Sequence, residues 1–294
     1  AYMDDILVAS ANSQEHLKHL ACIFERLQKH GLLIKREKCE FFKTEVSFIG
    51  VHVSQNGIKP LAEKIQAIQE MPQPQKIKDL KRFLGMAGFY HRFIPNFSHI
   101  AAPLTDLTKN YKAKANAVVK WSEAPKQAFE KLKQAVGNAV QLAFPEAHAQ
   151  LELTTDASEL AAGAVLHQIV NGEKQPLAFF SRKFTTLESR KSTFDRELLA
   201  VFLSLKHFSW LLGTQFTVVT DHKPLLNALT MKAPTPQQTR WLSYISEFNC
   251  EIVHIAGADN VVADTLSRSV AAITANFNEA LAKGPTPLRD FPGE

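Results

Sequence analysis

The sequence predicts a mixed α/β protein (α+β overall): a small antiparallel sheet behind an acidic turn, a helix-rich basic middle, and a C-terminal five-stranded mixed sheet flanked by helices. Three observations point there. From Phe194 to Leu212, apolar residues recur at helical spacing over about five turns, the mark of a long half-buried helix. Strand-like runs, two of them joined by Asn171-Gly172, precede and follow it. The net charge of +5 is concentrated in residues 59 to 133, which carry 14 basic and 6 acidic side chains, against 7 and 7 in residues 1 to 58 and 11 and 12 in residues 150 to 268. At 294 residues the chain is long enough for two domains, with a smaller module between them.

Tyr2 to Ser10 has apolar residues on both sides of Asp4-Asp5, which suits a β-hairpin with the aspartates at its turn. Asn12 or Ser13 then caps a helix running to about His30, with Leu17, Leu20, Phe24 and Leu27 on one stripe and Gly31 as its stop. Phe41-Phe42, Val46 to Val53 and the turn at Gln55-Asn56-Gly57 read as a small antiparallel sheet. From Pro60 the pattern is helical, broken at Pro72 and Pro74, resumed over Ile77 to Phe89 and broken again at Pro95 and Pro103. Trp121 to Val136 is one more amphipathic helix, and Pro145 closes the section.

Leu151 to Asp156, Ala161 to Ile169 and Leu177 to Ser181 are expected strands, followed by the long helix. Phe216 to Asp221 is a fourth strand, helices lie around Leu225 and Trp241, Cys250 to Ile255 is a fifth strand, and Val261 to Leu266 a last helix. The Ala, Asn, Gly and Pro content beyond Arg268 suits a linker or tail. The expected division is therefore 1–58, 59–145, 146–268 and 269–294.

No apolar run approaches the roughly 18 residues that cross a bilayer, so no membrane partner is expected. Cys22, Cys39 and Cys250 are odd in number and widely spaced, which supports neither a disulfide framework nor a zinc knuckle and fits a reducing compartment. His16, His19 and Cys22 fall on one helix face but lack a fourth partner, so they read as a polar face. The basic middle is either a grip for a polyanion or a solvated charged face; charge alone leaves both open.

The chemistry gathers in the last third. Asp156 and Asp221 end strands, where open α/β sheets place their ligands, and they converge if those strands are neighbours. Glu197 lies about 60° from Phe194 on the helical wheel, at the edge of the buried stripe, where an ionised carboxylate needs a partner. Arg190 and Arg196 are structural candidates, and a cation shared with the two aspartates serves equally. Asp264 adds a fourth acid at the start of the last helix. A cluster of Asp and Glu without Cys or His is a first shell for Mg²⁺, and two such ions about 4 Å apart activate a water and stabilise both oxygens in phosphodiester hydrolysis.

At 153–158 Leu-Thr-Thr-Asp-Ala-Ser, at 181–184 Ser-Arg-Lys-Phe, at 195–200 Asp-Arg-Glu-Leu-Leu-Ala, at 220–225 Thr-Asp-His-Lys-Pro-Leu and at 260–268 Asn-Val-Val-Ala-Asp-Thr-Leu-Ser-Arg form an ordered set. It resembles the RNase H domain of gypsy-class LTR retrotransposon polyproteins. Upstream, Tyr-Met-Asp-Asp at 2–5 resembles the catalytic hairpin of reverse transcriptases, Phe-Ile-Gly at 48–50 their primer grip, and Phe-Leu-Gly-Met-Ala-Gly-Phe-Tyr-His-Arg-Phe-Ile at 83–94 the thumb of the same elements.

The resemblance covers about residues 1 to 268. It implies the end of a polymerase palm, a helical thumb and an RNase H-like domain that cuts the RNA strand of RNA·DNA hybrids, reading the 2′-OH.

By the same resemblance, Asp156, Glu197, Asp221 and Asp264 hold two Mg²⁺ ions, with Mn²⁺ as a substitute, and Asp4 and Asp5 are the second and third polymerase carboxylates, one or both binding Mg²⁺ beside the primer terminus. Phe48, Ile49 and Gly50 position a primer strand, and the basic thumb, with Lys78, Lys81, Arg82 and Arg92, tracks a primer-template duplex. The first polymerase aspartate and the fingers are expected upstream of Ala1 and an integrase downstream, so the segment is read as part of a longer polyprotein that does not polymerise alone. The implied setting is intracellular and cytoplasmic, within a particle, with a nuclear phase open to it.

Many RNase H proteins carry a mobile histidine before the last acid. Here Ala256-Gly257-Ala258-Asp259 fills that loop, and His254, in the preceding strand, is assigned no catalytic role. A retroelement-derived subunit that binds nucleic acid without cutting, or supports a full-length polymerase, is the alternative.

Overall fold

The computed structural model describes residues 1–109, 117–213 and 215–255. At its start the expected two-stranded hairpin is reduced to a tight turn. Tyr2 and Asp5 exchange backbone hydrogen bonds of 2.8 and 2.9 Å around Met3, whose φ of 48° is left-handed. No described strand lies beside residues 6–10, so nothing pairs their N–H and C=O groups into a ladder.

Helix α1 (Ser13–Lys29) forms where expected because the Asn12 side chain accepts the Glu15 N–H at 2.9 Å, and the chain leaves it through Gly31 at φ 68°. His16 and His19 both turn Nδ1 to Ser10 Oγ, at 3.0 and 2.9 Å, and Cys22 is exposed, which makes this a polar helix face. Phe41-Phe42 is not a strand: Phe42 sits at φ 57°, and Phe41 packs edge-on against Phe24 of α1.

Strands β1 (Glu45–Phe48), β2 (Val51–Ser54) and β3 (Gly57–Pro60) make an antiparallel meander. Ile49 and Gly50, at φ 45° and 75°, are the paired left-handed residues that a tight hairpin turn requires. Tyr90 donates its hydroxyl to the Gly50 carbonyl at 3.1 Å, and a Cβ on Gly50 would stand 3.1 Å from the Phe89 ring. The turn is thereby fixed to the helices that follow.

Those helices are α2 (Ala62–Gln69), α3 (Ile77–Phe89), α4 (Phe97–Lys109) and α5 (Glu123–Gly137). Pro72, Pro74 and Pro95 lie in the breaks between them, but Pro103 lies inside α4. An interior proline costs about 3 kcal/mol. Here that cost is offset by full burial of Ala101, Ala102 and Leu104 and by ties to the neighbouring sheet on both sides of the proline, Ser181 to Ser98 before it and Lys183 to Asp106 after it. Ile77, Leu80 and Phe83 of α3 close on Phe129, Leu132 and Val136 of α5, with Phe83 and Phe129 ring centroids 4.5 Å apart.

The second half contains β4 (Gln150–Ala157), β5 (Ala161–Val170), β6 (Glu173–Lys183), the short α6 (Thr186–Ser189), α7 (Thr193–Phe208), β7 (Phe216–Thr220), α8 (Pro236–Ser246) and β8 (Cys250–His254). A 3-10 helix, Lys223–Thr230, occupies the region expected around Leu225. The five strands form one mixed sheet in the order β6-β5-β4-β7-β8. Strands β4, β7 and β8 are parallel, and β5 runs against both β4 and β6. Asn171 and Gly172, at φ 53° and 82°, make the β5–β6 turn.

One face of the sheet, with Leu153, Leu166, Phe180 and Val218, packs on Leu198, Val201, Leu205 and Phe208 of α7 and on Trp241 and Ile245 of α8. The helical stripe was expected to reach Leu212; the helix ends at Phe208, but Leu212 remains buried.

The opposite face is not left to solvent. Val165 and Phe179 join the core of the basic helices. Ser98 of α4 donates its N–H and its hydroxyl to Ser181 of β6 at 2.9 and 2.8 Å, and Lys183 pairs with Asp106 at 2.6 Å. The expected helix over Val261 to Leu266 lies outside the described residues. Among those described, no helix is long and apolar enough to cross a membrane.

Candidate active site

Strands β4 and β7 are adjacent and parallel, with Thr154 level with Val219, so Asp156 and Asp221 leave the centre of the sheet two residues further on at the same height. Helix α7 crosses beneath that edge. Its first turn is held by Ser192, whose hydroxyl accepts the Asp195 N–H at 3.1 Å, and its apolar stripe fixes its rotation. The rotation delivers Glu197, 4% exposed, to the two aspartates. One carboxylate oxygen from each of Asp156, Glu197 and Asp221 lies within 4.8 Å of the others.

Among the described residues no cation pairs directly with this group. Glu197 Oε1 accepts a backbone N–H from Ala157 at 3.3 Å, while its buried Oε2 has no partner among the described residues. Arg196 turns to Thr193 Oγ1 at 3.4 Å and Arg190 is exposed; neither pairs with Glu197 among the described residues. Burial, then the charges of Asp156 and Asp221, push the Glu197 carboxyl up to about 9. Burial, then Asp221, also raises Asp156, against the Ala157 N–H and His99, which draw it down. A buried acid with an orphaned oxygen and two acidic neighbours is expensive alone and favourable around a hard divalent cation, and the all-oxygen donor set fits such an ion.

The other expected site residues fall into separate groups. Asp264 lies outside the described residues, as does Ala256 to Asp259. Asp4 and Asp5 are exposed at the first turn, and no described group of three potential ligands includes them. Phe48, Ile49 and Gly50 form the β1–β2 turn against α3. Lys78, Lys81 and Arg82 are exposed on one side of α3, opposite buried Ile77, Leu80 and Phe83, and Arg92 lies over the Phe93 ring at 5.4 Å.

Three further residues neighbour the acids; the sequence offered no sign of two of them, Asn96 and His99, and left His254 without a role. His254 reaches the Asp221 carbonyl through Nε2 at 3.1 Å. Asn96 and His99, some sixty residues before Asp156, line a small cavity with it. Only the packing of α4 on the sheet brings them there.

Two family models match the chain: "Reverse transcriptase (RNA-dependent DNA polymerase)" over residues 1–53 and "RNase H-like domain found in reverse transcriptase" over residues 121–218. The Pol polyprotein of the Drosophila melanogaster transposon opus is 40% identical over 275 residues, 91% of this chain. The chain belongs to the Pol polyproteins of gypsy-class LTR retrotransposons. The Pol polyprotein of the Drosophila transposon 297 is 40% identical over 91% of the chain, and the Schizosaccharomyces pombe transposon Tf2-3 polyprotein 35% identical over 92%.

This Pol segment spans 27%, 25% and 20% of those relatives' lengths. Among solved structures, a foamy viral protease-reverse transcriptase in complex with RNA/DNA hybrid superposes with a TM-score of 0.70 at 25% identity, covering 86% of this chain and 35% of that one. A dRH form of the foamy viral enzyme, in complex with double-stranded DNA, gives 0.69 at 25% identity, covering 84% and 44%.

Proposed function

We propose that this Pol segment carries an RNase H-type endonuclease, dependent on Mg²⁺, that hydrolyses the RNA strand of RNA·DNA hybrids. The observation that carries it is the convergence of Asp156, Glu197 and Asp221 within 4.8 Å with a buried carboxylate oxygen left unpartnered. Two bound divalent ions, when present, supply an activated water and charge stabilisation at the attacking and leaving oxygens. The chain's part is to hold the acids. Parallel strands set Asp156 and Asp221 at one level, α7 presents Glu197 from below, and the Ala157 N–H fixes which Glu197 oxygen remains free. Asp264 is proposed as the fourth acid, closing the set from the chain beyond β8.

The division at 1–58, 59–145 and 146–268 belongs to the same proposal. Lys78, Lys81, Arg82 and Arg92 grip the duplex backbone, Phe48 to Gly50 position a primer, and Asp4 and Asp5 serve polymerisation only within the longer polyprotein. The foamy viral neighbours in complex with hybrid and duplex support this reading of the basic helices.

The test is cleavage of a labelled RNA·DNA hybrid by the whole chain across a Mg²⁺ titration. Asp156→Asn and Asp221→Asn are expected to abolish cutting while hybrid binding in Ca²⁺ persists. Undiminished cutting by either variant refutes the assignment. Binding without any cutting by the unaltered chain points instead to a supporting, non-catalytic subunit.

A further inference from the structure

Beside Asp156 there is a cavity of about 60 Å³ lined by Asn96, His99, Asp156, Ser158, Ala162 and Gly163. Its walls come from two different modules. Asn96 directly precedes α4 and His99 lies in its first turn, and the rest belong to β4, β5 and the turn between them. The placement is specific in its packing. The Ser98–Ser181 hydrogen bonds fasten α4 to the sheet at this point, and Asn96 takes the left-handed φ of 51°, which carries its side chain over β5. A Cβ on Gly163 would come within 2.8 Å of Asn96 Oδ1, so a side chain there would make the Asn96 amide shift.

The chemistry of the lining differs from that of the acids next to it. Asn96 offers an amide with no side-chain hydrogen bond among the described residues. His99 is exposed, and its Nδ1 lies 3.4 Å from Ser158 Oγ, which leaves Nε2 as the outward nitrogen. A strand presented to three clustered carboxylates brings further phosphates beside the one being cut. Those phosphates meet carboxylate repulsion unless hydrogen-bond donors face them. The cavity is too small for a base and has room for phosphate oxygens.

We propose that Asn96 and His99, supplied by the helical module, form a subsite for the phosphate of the RNA strand next to the scissile one, so that the nuclease site is completed by residues outside the RNase H-like domain. This rests on the nuclease reading above, whose acids it leaves untouched. Both residues are substrate-positioning groups.

The experiment uses the whole chain, a hybrid with one defined cut site, and a second hybrid carrying a neutral methylphosphonate next to that site. For Asn96→Ala and His99→Ala, KM for the normal hybrid rises roughly tenfold, the loss expected for a hydrogen bond to a charged group, with kcat within about twofold. His99→Gln, which keeps a donor, recovers most of it. The methylphosphonate raises KM for the unaltered chain but not further for the alanine variants, and Mg²⁺ stabilises all of them equally.

Unchanged KM in the alanine variants, or equal sensitivity of variants and unaltered chain to the methylphosphonate, overturns the subsite. Should the unaltered chain not cut, the nuclease reading falls and the subsite falls with it; the same comparison made on hybrid Kd in Ca²⁺ then separates the two failures, because weaker binding by the variants leaves a plain backbone contact at Asn96 and His99 and equal Kd values leave none.

Discussion

Replacing Glu197 by Gln should make the metal-free protein more stable and remove its response to Mg²⁺. In the folded chain the Glu197 carboxyl is pushed up to about 9 from an ordinary 4.5, by burial first and then by Asp156 and Asp221. The sign follows from linkage. A carboxyl raised on folding contributes its full stability below the unfolded value, and that contribution is lost as pH rises through 4.5 towards 9.

At about pH 7.5, some three units above the unfolded value, keeping the proton on costs the fold at most about 4 kcal/mol. Glutamine keeps the Oε1 contact to the Ala157 N–H and turns an amide donor towards the aspartates in place of the orphaned Oε2. Local relaxation reduces the gain to roughly 2 kcal/mol, or about 3–5 °C in Tm for a chain of this length.

Mg²⁺ distinguishes the two proteins. It stabilises the unaltered chain by about 2.7 kcal/mol at a hundredfold excess over Kd, more at higher pH because binding must displace the Glu197 proton. In Glu197→Gln that increment largely disappears. Thermal unfolding in EDTA and in Mg²⁺, each at about pH 6 and pH 8.5, provides the four comparisons. A variant less stable than its parent in EDTA, or one whose Mg²⁺ shift survives intact, refutes the view that these acids share an ion.

Neutralising Lys78, Lys81 and Arg82 together should weaken hybrid binding and lower the slope of log K against log salt by up to about 3; an unchanged slope means that this face of α3 does not meet the backbone. His167, buried with Nδ1 unpartnered, has its pKa lowered to about 4, by burial first. Folding therefore favours its neutral form, and stability present above about 6.5 declines as pH falls from 6.5 towards 4. His167→Gln should flatten that part of the stability–pH curve by up to about 3 kcal/mol, read by denaturant unfolding, and an unaltered curve would show that the ring titrates freely in the fold.

Much of the architecture was legible because its signals are local. Asn12 caps α1, Asn171-Gly172 turns β5 into β6, and the stripe from Phe194 to Phe208 marks α7, each set by residues within a few positions of one another. Tertiary context decided the rest. Pro103 stays helical because α4 is held on the sheet from both sides, and Tyr2 to Ser10 stays irregular because no described strand lies beside it. The acids divide similarly. Strand parity and the helical wheel indicate which edge each of Asp156, Asp221 and Glu197 occupies, but their meeting depends on β4 and β7 being neighbours, a property of topology. Asn96 and His99 carry no motif that links them to Asp156.

The two-sided burial of β5 and β6 has a practical consequence for anyone wishing to excise the nuclease. Cutting the chain before β4 would strip α4 and α5 from the sheet and bare Val165 and Phe179, side chains 0% and 5% exposed in the intact protein. It would also strand Ser181 and Lys183 without their hydrogen-bonding counterparts. A version that keeps this core intact therefore starts ahead of α2, whose Ile68 is buried in it, and its minimal unit is a helical clamp and a sheet inherited together.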